Sequence, residues 1–206
     1  MKRRGPRVEL AVLRRFVDEV ERRFLAPHIG PAQLGTPKRS EQLDVGAFVV
    51  LAHGAIENFV EGLGLWTLES VQRHWIFHKR ASRSLASVLL HAGEPSDDYE
   101  QSLTMFDNIR TSIDSAKTTL SQSIEQNNGI AMQHLRKLFR PLGIDVPEEP
   151  KLVGALDQLV ALRHQWAHQY RFGAKVTKFA VEVKQTSDDC LELAARLAER
   201  AKAARP

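Results

Sequence analysis

The hydrophobic positions of this chain recur mostly at intervals of three and four residues, the spacing of helices that bury one face. The first such segment covers 7–25, and its apolar positions are Val8, Val12, Phe16, Val20 and Phe24. Prolines and glycines between 26 and 39 then interrupt regular structure. The pattern predicts one amphipathic helix followed by a loop.

A much longer apolar stripe runs from Leu43 to about His78 without a proline. At 1.5 Å per residue a helix of this length reaches about 50 Å, which is long for a globular protein. We therefore expect a kink near Gly62 or Gly64. The stripe consists of Val45, Phe48, Val49, Ala52, Ile56, Phe59, Val60, Leu63, Trp66, Thr67, Val71 and Trp75.

Further helical patterns follow along the rest of the chain. They cover 81–91, 97–126, 130–140, 151–169 and a last segment from about 180. Segment 174–183 alternates like a strand but also fits a helix, and since no partner strand exists we read a loop and then a helix. The fold class predicted is all-α: one up-and-down helical bundle over 1–206, with long second and fourth helices. Its core spans about 40–203, with the 7–25 helix packed on it.

The stretch 159–170 carries the most distinctive chemistry, because an apolar run contains Arg163, His164 and His168. A buried arginine is unfavourable unless it is paired or binds an anion. A histidine titrates near neutral pH. Together they indicate a phosphate site at a helix end. The structural alternative is an arginine paired with a local carboxylate and a histidine that interacts with the helix C-terminus.

Arg163 and His168 do not share a face of an ideal helix. Five residues rotate the chain by about 500°, which leaves the two side chains ~140° apart. A common site therefore requires either local unwinding after Trp166 or a second copy of the motif from another subunit.

His164 and His168 are four residues apart and do share a face, a spacing that can ligate zinc. A catalytic zinc needs a third protein ligand, and Glu57 and His53 lie on another segment. We therefore expect neither a metal site nor another cofactor.

Other polar residues join the candidate site. Glu57 lies beside Ile56 in the long stripe, where a carboxylate usually has a cationic partner, although a surface position is also compatible with the pattern. Arg171, Lys175 and Lys178 follow the motif and either bind RNA phosphates or form a solvated loop.

Composition narrows the function. The net charge of +4 is a mild preference for acidic partners such as RNA, although many soluble proteins without such partners are also slightly basic. Cys190 is the only cysteine, so no intrachain disulfide or cysteine metal cluster forms. We expect no membrane span and no secretory signal. The sequence also contains no glycine-rich phosphate loop, no Ser-His-Asp pattern and no paired-carboxylate spacing, which argues against ATPases and hydrolases of those kinds.

Three stretches together resemble HEPN domains, the helical "higher eukaryotes and prokaryotes nucleotide-binding" bundles. One is Arg163-x4-His168, and another is Phe48–Phe59 with its embedded Glu57. The third is Asn128-Gly129-Ile130 with the leucines after it and Leu142-Gly143-Ile144-Asp145. The order of these stretches is most similar to the RiboL-PSP-type subgroup.

The resemblance implies a metal-independent endoribonuclease of a toxin–antitoxin or phage-defence system, located in the cytoplasm. Arg163 and His168 would be catalytic, with Glu57 as the partner of Arg163 and His164 as an auxiliary group. Cleavage through the RNA 2′-OH would leave a 2′,3′-cyclic phosphate and a 5′-OH. Because that chemistry needs both a base and an acid, we expect a homodimer, with an antitoxin protein as a further partner.

Two other functions share these sequence features. A non-catalytic HEPN bundle would bind RNA, nucleotide or a partner protein, and a structural scaffold would need Arg163 and His168 only for stability.

Overall fold

The computed structural model of the protein describes residues 5–30, 36–91, 105–125, 129–169 and 178–204. Within these ranges the chain forms seven α-helices and two 3-10 turns, Ala26–His28 and Arg140–Leu142, and no strand. The all-α prediction is confirmed. The helices are α1 (Pro6–Phe24), α2 (Arg39–His78), α3 (Arg83–His91), α4 (Met105–Glu125), α5 (Met132–Phe139), α6 (Pro150–Gln169) and α7 (Ala180–Ala203).

The observed boundaries lie close to the predicted ones. The long second helix begins at Arg39, before the start of its apolar stripe, and α6 begins at Pro150, a residue that suits the first turn of a helix. The helix predicted over 97–126 is observed from Met105 to Glu125, and 97–104 lie outside the described residues. α7 starts at Ala180, as predicted for the ambiguous segment, of which 174–177 are not described.

α2 is the central helix of the bundle and contacts each of the other six. Its predicted stripe is buried along most of its length, and Phe48, Val49 and Ala52 have no exposed surface at all. This central position explains why forty consecutive residues carry so many apolar side chains. The site residues on α2 are therefore held by a helix that packs on several sides.

Helix α1 lies within one residue of the predicted bounds, and of its predicted apolar positions Val20 is buried, whereas three others are exposed. Val8, Val12 and Phe16 are at least 40% exposed, whereas Leu13 and Val17 are buried against α2 and α7. Apolar residues occupy two adjacent faces of α1, so the 3.6-residue period alone does not distinguish them. The contacts with α2 and α7 decide which face is buried.

The two glycines proposed to kink α2 lie within one uninterrupted helix. Gly64 packs beneath α5, and a Cβ at this position would lie 3.1 Å from Cδ1 of Leu138. A Cβ at Gly62 would meet nothing within 4 Å. Gly64 therefore permits the close approach of α5, whereas no neighbour requires a glycine at 62.

By length and composition α2 could also cross a membrane, with a mean hydropathy of 1.4 over its most apolar 18-residue window. Half of that window is buried inside the bundle. A core helix of a globular protein has the same properties, because it is apolar on most of its circumference.

A buried carboxylate near the start of α2 forms a hydrogen bond with the first residue of α7. Glu41 is 2% exposed, and its Oε1 accepts a hydrogen bond of 3.3 Å from the backbone N–H of Ala180. This bond satisfies one of the free amides in the first turn of α7. α7 therefore starts at the end of the bundle where α2 begins.

Candidate active site

Helix α6 carries Arg163 at the edge of its buried face. Leu152, Leu156, Leu159 and Leu162 recur at helical spacing and are each at most 7% exposed. Because Arg163 follows Leu162 directly, its side chain is half-buried at the border of this stripe. One turn later Trp166 packs onto α2 at Gly46, which fixes the α6 surface that faces α2.

Three polar residues of α2 form a second row beside this border. His53, Glu57 and Glu61 are spaced four residues apart and therefore lie along one face of the helix. His53 is almost completely buried, and its Nδ1 lies 3.7 Å from Oε2 of Glu57. At this distance the two groups do not form a hydrogen bond.

A second histidine reaches the same region from α5. A Cβ built on Gly129 would lie 3.6 Å from Nδ1 of His134 and 3.9 Å from Nε2 of His53. Gly129 thus lies between the two imidazoles, with a φ of +154°. His134 Nδ1 is buried and has no hydrogen-bond partner within the described part of the chain. Gly129 leaves both rings room that a side chain would fill.

The charges of this cluster act on one another. Burial, and then the positive charge of Arg163, lowers the pKa of His53 to about 4, so this imidazole is neutral at pH 7. Burial and the carboxylate of Glu61 raise the pKa of Glu57, while Arg163 and His134 oppose that rise. The cluster therefore combines a fixed cation, a neutral imidazole and a carboxyl group that is easier to protonate than usual.

Arg163 is the fixed cation, and its guanidinium has no hydrogen bond or ion pair within 4 Å among the described residues. Its charge nevertheless acts on both His53 and Glu57. A half-buried guanidinium with free donors can bind a planar or tetrahedral anion through two parallel hydrogen bonds.

Arg163 and His168 lie on the same helix, so the angle between their positions around the helix axis depends on whether α6 stays regular between them. The backbone of α6 remains helical to Gln169, so the unwinding after Trp166 that one chain would need for a common site is not observed. The angular separation of ~140° therefore holds for the two backbone positions. The side chain of His168 lies outside the described part of the structure.

The other predicted site residues are distributed around this region. His164 is exposed on α6. Lys178 Nζ lies 2.9 Å from Oε1 of Glu182, so its charge is partly compensated within the chain. Arg171 and Lys175 lie outside the described residues.

The sequence interpretation did not assign Glu61 and His134 to the site, and it considered His53 only as a metal ligand. The repeat of polar residues at 53, 57 and 61 was visible as a four-residue spacing. No comparable signal marks His134, because its position depends on how α5 packs. In the described ranges, no group of three or more histidine, cysteine or acidic residues is arranged to hold a metal ion.

A comparison with protein-family models matches residues 32–203 to RiboL-PSP-HEPN. The chain belongs to the RiboL-PSP-HEPN family. The match includes α2 to α7 and therefore every described residue of the candidate site. Neither a search of curated proteins nor a search of solved structures finds a match to the chain. Family membership confirms the resemblance proposed from the Arg163-x4-His168 motif and its flanking stretches.

Proposed function

We propose that this RiboL-PSP-HEPN protein is a metal-independent endoribonuclease in which Arg163 binds the scissile phosphate. The observation that carries the proposal is the half-buried guanidinium, which has no partner among the described residues and acts on His53 and Glu57 of α2. A cation in this position is stabilised by an anion that accepts two hydrogen bonds. A phosphodiester group has that geometry.

The reaction we propose uses the RNA's own 2′-OH. The 2′ oxygen attacks phosphorus and gives its proton to a base, while the P–O5′ bond breaks and an acid protonates the departing 5′ oxygen. His168 serves as the base or the acid, and Arg163 stabilises the charge that develops on the phosphoryl oxygens. The products are a 2′,3′-cyclic phosphate and a 5′-OH.

The remaining residues of the cluster support these two groups. Glu57 lies close enough on α2 for its carboxyl group to interact electrostatically with the guanidinium, and neutral His53 next to it contributes no competing positive charge. His164 lies exposed beside Arg163, where it positions the substrate or transfers a proton. Lys178, together with Arg171 and Lys175, contributes to binding of the RNA backbone.

The catalytic unit we propose is a symmetric homodimer. One chain supplies one motif arginine and one motif-terminal histidine, whereas the reaction needs a separate base and acid. Because the backbone of α6 stays helical through position 168, the two motif positions of one chain are separated by ~140° around the helix axis. A twofold axis that brings two motifs together supplies both proton-transfer groups, and twofold dimers are the commonest soluble assemblies.

The biological setting we propose is a cytoplasmic toxin–antitoxin or phage-defence system, in which an antitoxin protein restrains the nuclease. Support comes from membership of a HEPN family together with the proposed RNA-cleaving site. The neighbouring genes test this setting directly, since an adjacent antitoxin or restriction gene is expected.

The deciding experiment compares cleavage of an unstructured single-stranded RNA by the purified wild-type protein and by Arg163→Ala and His168→Ala variants. Removal of a charge-stabilising or proton-transfer group lowers the rate by about 10²–10⁴-fold. Mass spectrometry of the fragments should show 2′,3′-cyclic phosphate ends. The matched controls are Arg14→Ala and His91→Gln, which change exposed residues on α1 and α3 and should retain full activity.

Two results would contradict the proposal. A wild-type protein that binds RNA without cleaving it would favour a non-catalytic HEPN bundle. Variants that fail to fold, as judged by urea unfolding, would assign Arg163 or His168 a structural role.

A further inference from the structure

A basic cleft lies at the opposite end of α2 from its first turn. It forms where the end of α2, the start of α3, the loop after Leu142 and the end of α7 converge. Its volume is about 720 Å³, and its walls include Arg80, Arg83 and Arg200. None of these arginines belongs to the candidate active site.

The positive charge of this cleft is only partly compensated by acidic residues. Arg83 Nη2 lies 3.3 Å from Oδ2 of Asp145 in an exposed pair, and such pairs contribute little stability. Arg200 donates a hydrogen bond of 2.8 Å to the neutral main-chain carbonyl of Asp145. Glu149, the other carboxylate near Arg200, is paired with Arg196. A phosphate can therefore compete for Arg83 and Arg200.

Arg80 adds a third guanidinium, which is exposed and has no hydrogen bond or ion pair within the described residues. From Ser70 to Gly93 the sequence contains no aspartate or glutamate, while it contains three arginines, one lysine and three histidines. The first turn of α3 also faces this end of the bundle, where Ser82 Oγ accepts a hydrogen bond from the N–H of Leu85. The first turn of α3 and the basic side chains of the cleft thus both favour binding of an anion here.

An exposed aromatic side chain lies one turn of α2 beyond His74, which lines the cleft. Phe77 is 73% exposed in the last turn of α2, two residues before Lys79, and is the most exposed phenylalanine in the described part of the chain. Aromatic rings next to basic grooves stack on the bases of single-stranded nucleic acid. Free phosphate would use the arginines, whereas only a nucleic acid would use Phe77 as well.

We propose that this cleft is an RNA-binding groove that holds single-stranded substrate at a distance from the cleavage site. This inference rests on the proposed ribonuclease function. His74, the α2 residue that lines the cleft, lies 17 residues beyond Glu57, which corresponds to about 26 Å along the helix and a rotation of about 100°. At about 3.4 Å per stacked nucleotide, that distance corresponds to about eight nucleotides. The groove therefore acts on long RNA and not on short oligonucleotides.

The test measures fluorescence anisotropy with a labelled 16-nucleotide 2′-O-methyl RNA, which has no free 2′-OH and cannot be cleaved. We expect Arg80→Ala/Arg83→Ala to bind this RNA about tenfold more weakly and to reduce the salt slope of log K by about 1.4, the value for two phosphate contacts. Phe77→Ala should weaken binding by a similar factor. The control Arg14→Ala/Arg15→Ala removes the same charge from the exposed face of α1 and should bind like wild type.

Length dependence provides the second measurement. Cleavage of a four-nucleotide RNA by Arg80→Ala/Arg83→Ala should proceed at the wild-type rate, because that substrate does not reach the groove. Arg80→Glu, which leaves the Arg83–Asp145 pair intact, is the second variant and should also lose affinity for the long RNA.

The outcomes separate this inference from the ribonuclease proposal. If the wild type cleaves RNA but the groove variants bind the long RNA as tightly as the α1 control, the proposed RNA-binding groove is wrong and the ribonuclease proposal is retained. If the wild type does not cleave and the groove variants still lose affinity, the groove stands and the catalytic proposal fails. Equal losses of affinity in the groove variants and the α1 control would also exclude a specific groove.

Discussion

The indole ring of Trp166 occupies the space that a side chain at Gly46 would fill. A Cβ at Gly46 would overlap the ring carbons Cε2, Cδ2 and Cζ2 of Trp166. The absence of a side chain thus lets α6 cross α2 closely at this point. Since Trp166 is one turn from Arg163, the same contact sets the position of the guanidinium relative to α2.

We predict that Gly46→Ala lowers the free energy of unfolding by about 1–3 kcal/mol, the usual effect of overpacking in a close contact. It should also reduce RNA cleavage, because the displaced Trp166 moves Arg163. The control is Gly62→Ala on the same helix, where the added methyl group meets nothing within 4 Å and should stabilise by about 0.5–1 kcal/mol. Urea unfolding of both variants is the measurement. If Gly46→Ala were as stable as Gly62→Ala, Trp166 would have moved aside without strain.

We predict that acid destabilises the protein through His53. Its pKa is lowered from 6.5 to about 4 by burial and by Arg163. Between these values the unfolded chain binds a proton at His53 that the folded chain excludes, so the stability falls as the pH decreases, by up to about 3 kcal/mol. The raised pKa of Glu57 has the opposite effect on stability, because the folded chain binds a proton at this carboxyl group more readily than the unfolded chain does.

The comparison of His53→Gln with wild type isolates this contribution, since the variant keeps Glu57. Urea unfolding between pH 7.5 and pH 4 should show a smaller loss of stability in His53→Gln than in the wild type. Parallel curves for wild type and His53→Gln would rule out a neutral buried imidazole.

We predict that Arg163→Lys lowers RNA cleavage by about 10²-fold, because lysine keeps the charge but not the planar pair of donors. Nuclear magnetic resonance titration of His53 provides a readout that is independent of activity. Its pKa should remain low in Arg163→Lys, which retains the charge, and should rise in Arg163→Ala. Near wild-type cleavage by the lysine variant would mean that Arg163 acts as a point charge.

We predict that cleavage of an unstructured RNA is unaffected by a strong chelator. The proposed reaction takes its positive charge from Arg163 and its proton transfers from His168. An unstructured substrate ensures that removal of magnesium does not alter RNA folding. Loss of activity with chelator, followed by recovery with zinc or manganese, would instead support a metal site that includes His164 and His168.

We predict a dimer in solution at micromolar concentration, with about twice the mass of one chain by light scattering. Two motifs at close range favour one neutral and one protonated histidine, since two positive charges repel each other. The dependence of the rate on pH should then be bell-shaped around neutrality. A fully active monomer would refute the dimer and the source we assign to the second proton-transfer group.

The sequence alone determined the all-α fold, most helix boundaries and the family. These features depend on local spacing: apolar residues every three or four positions, prolines and glycines at the breaks, and the order of three short stretches. Arg163 and Glu57 were also identified from sequence, because a charged residue in an apolar run is visible without knowledge of its neighbours.

Only the tertiary structure decided which residues surround Arg163. His53 and Glu57 come from α2 and His134 from α5, and the helical period of each segment contains no information about the segment that it meets. The same limitation explains why three of the apolar positions predicted for α1 are exposed. A helix with apolar residues on two faces buries the one that its partners contact, and that contact is a property of the packed bundle.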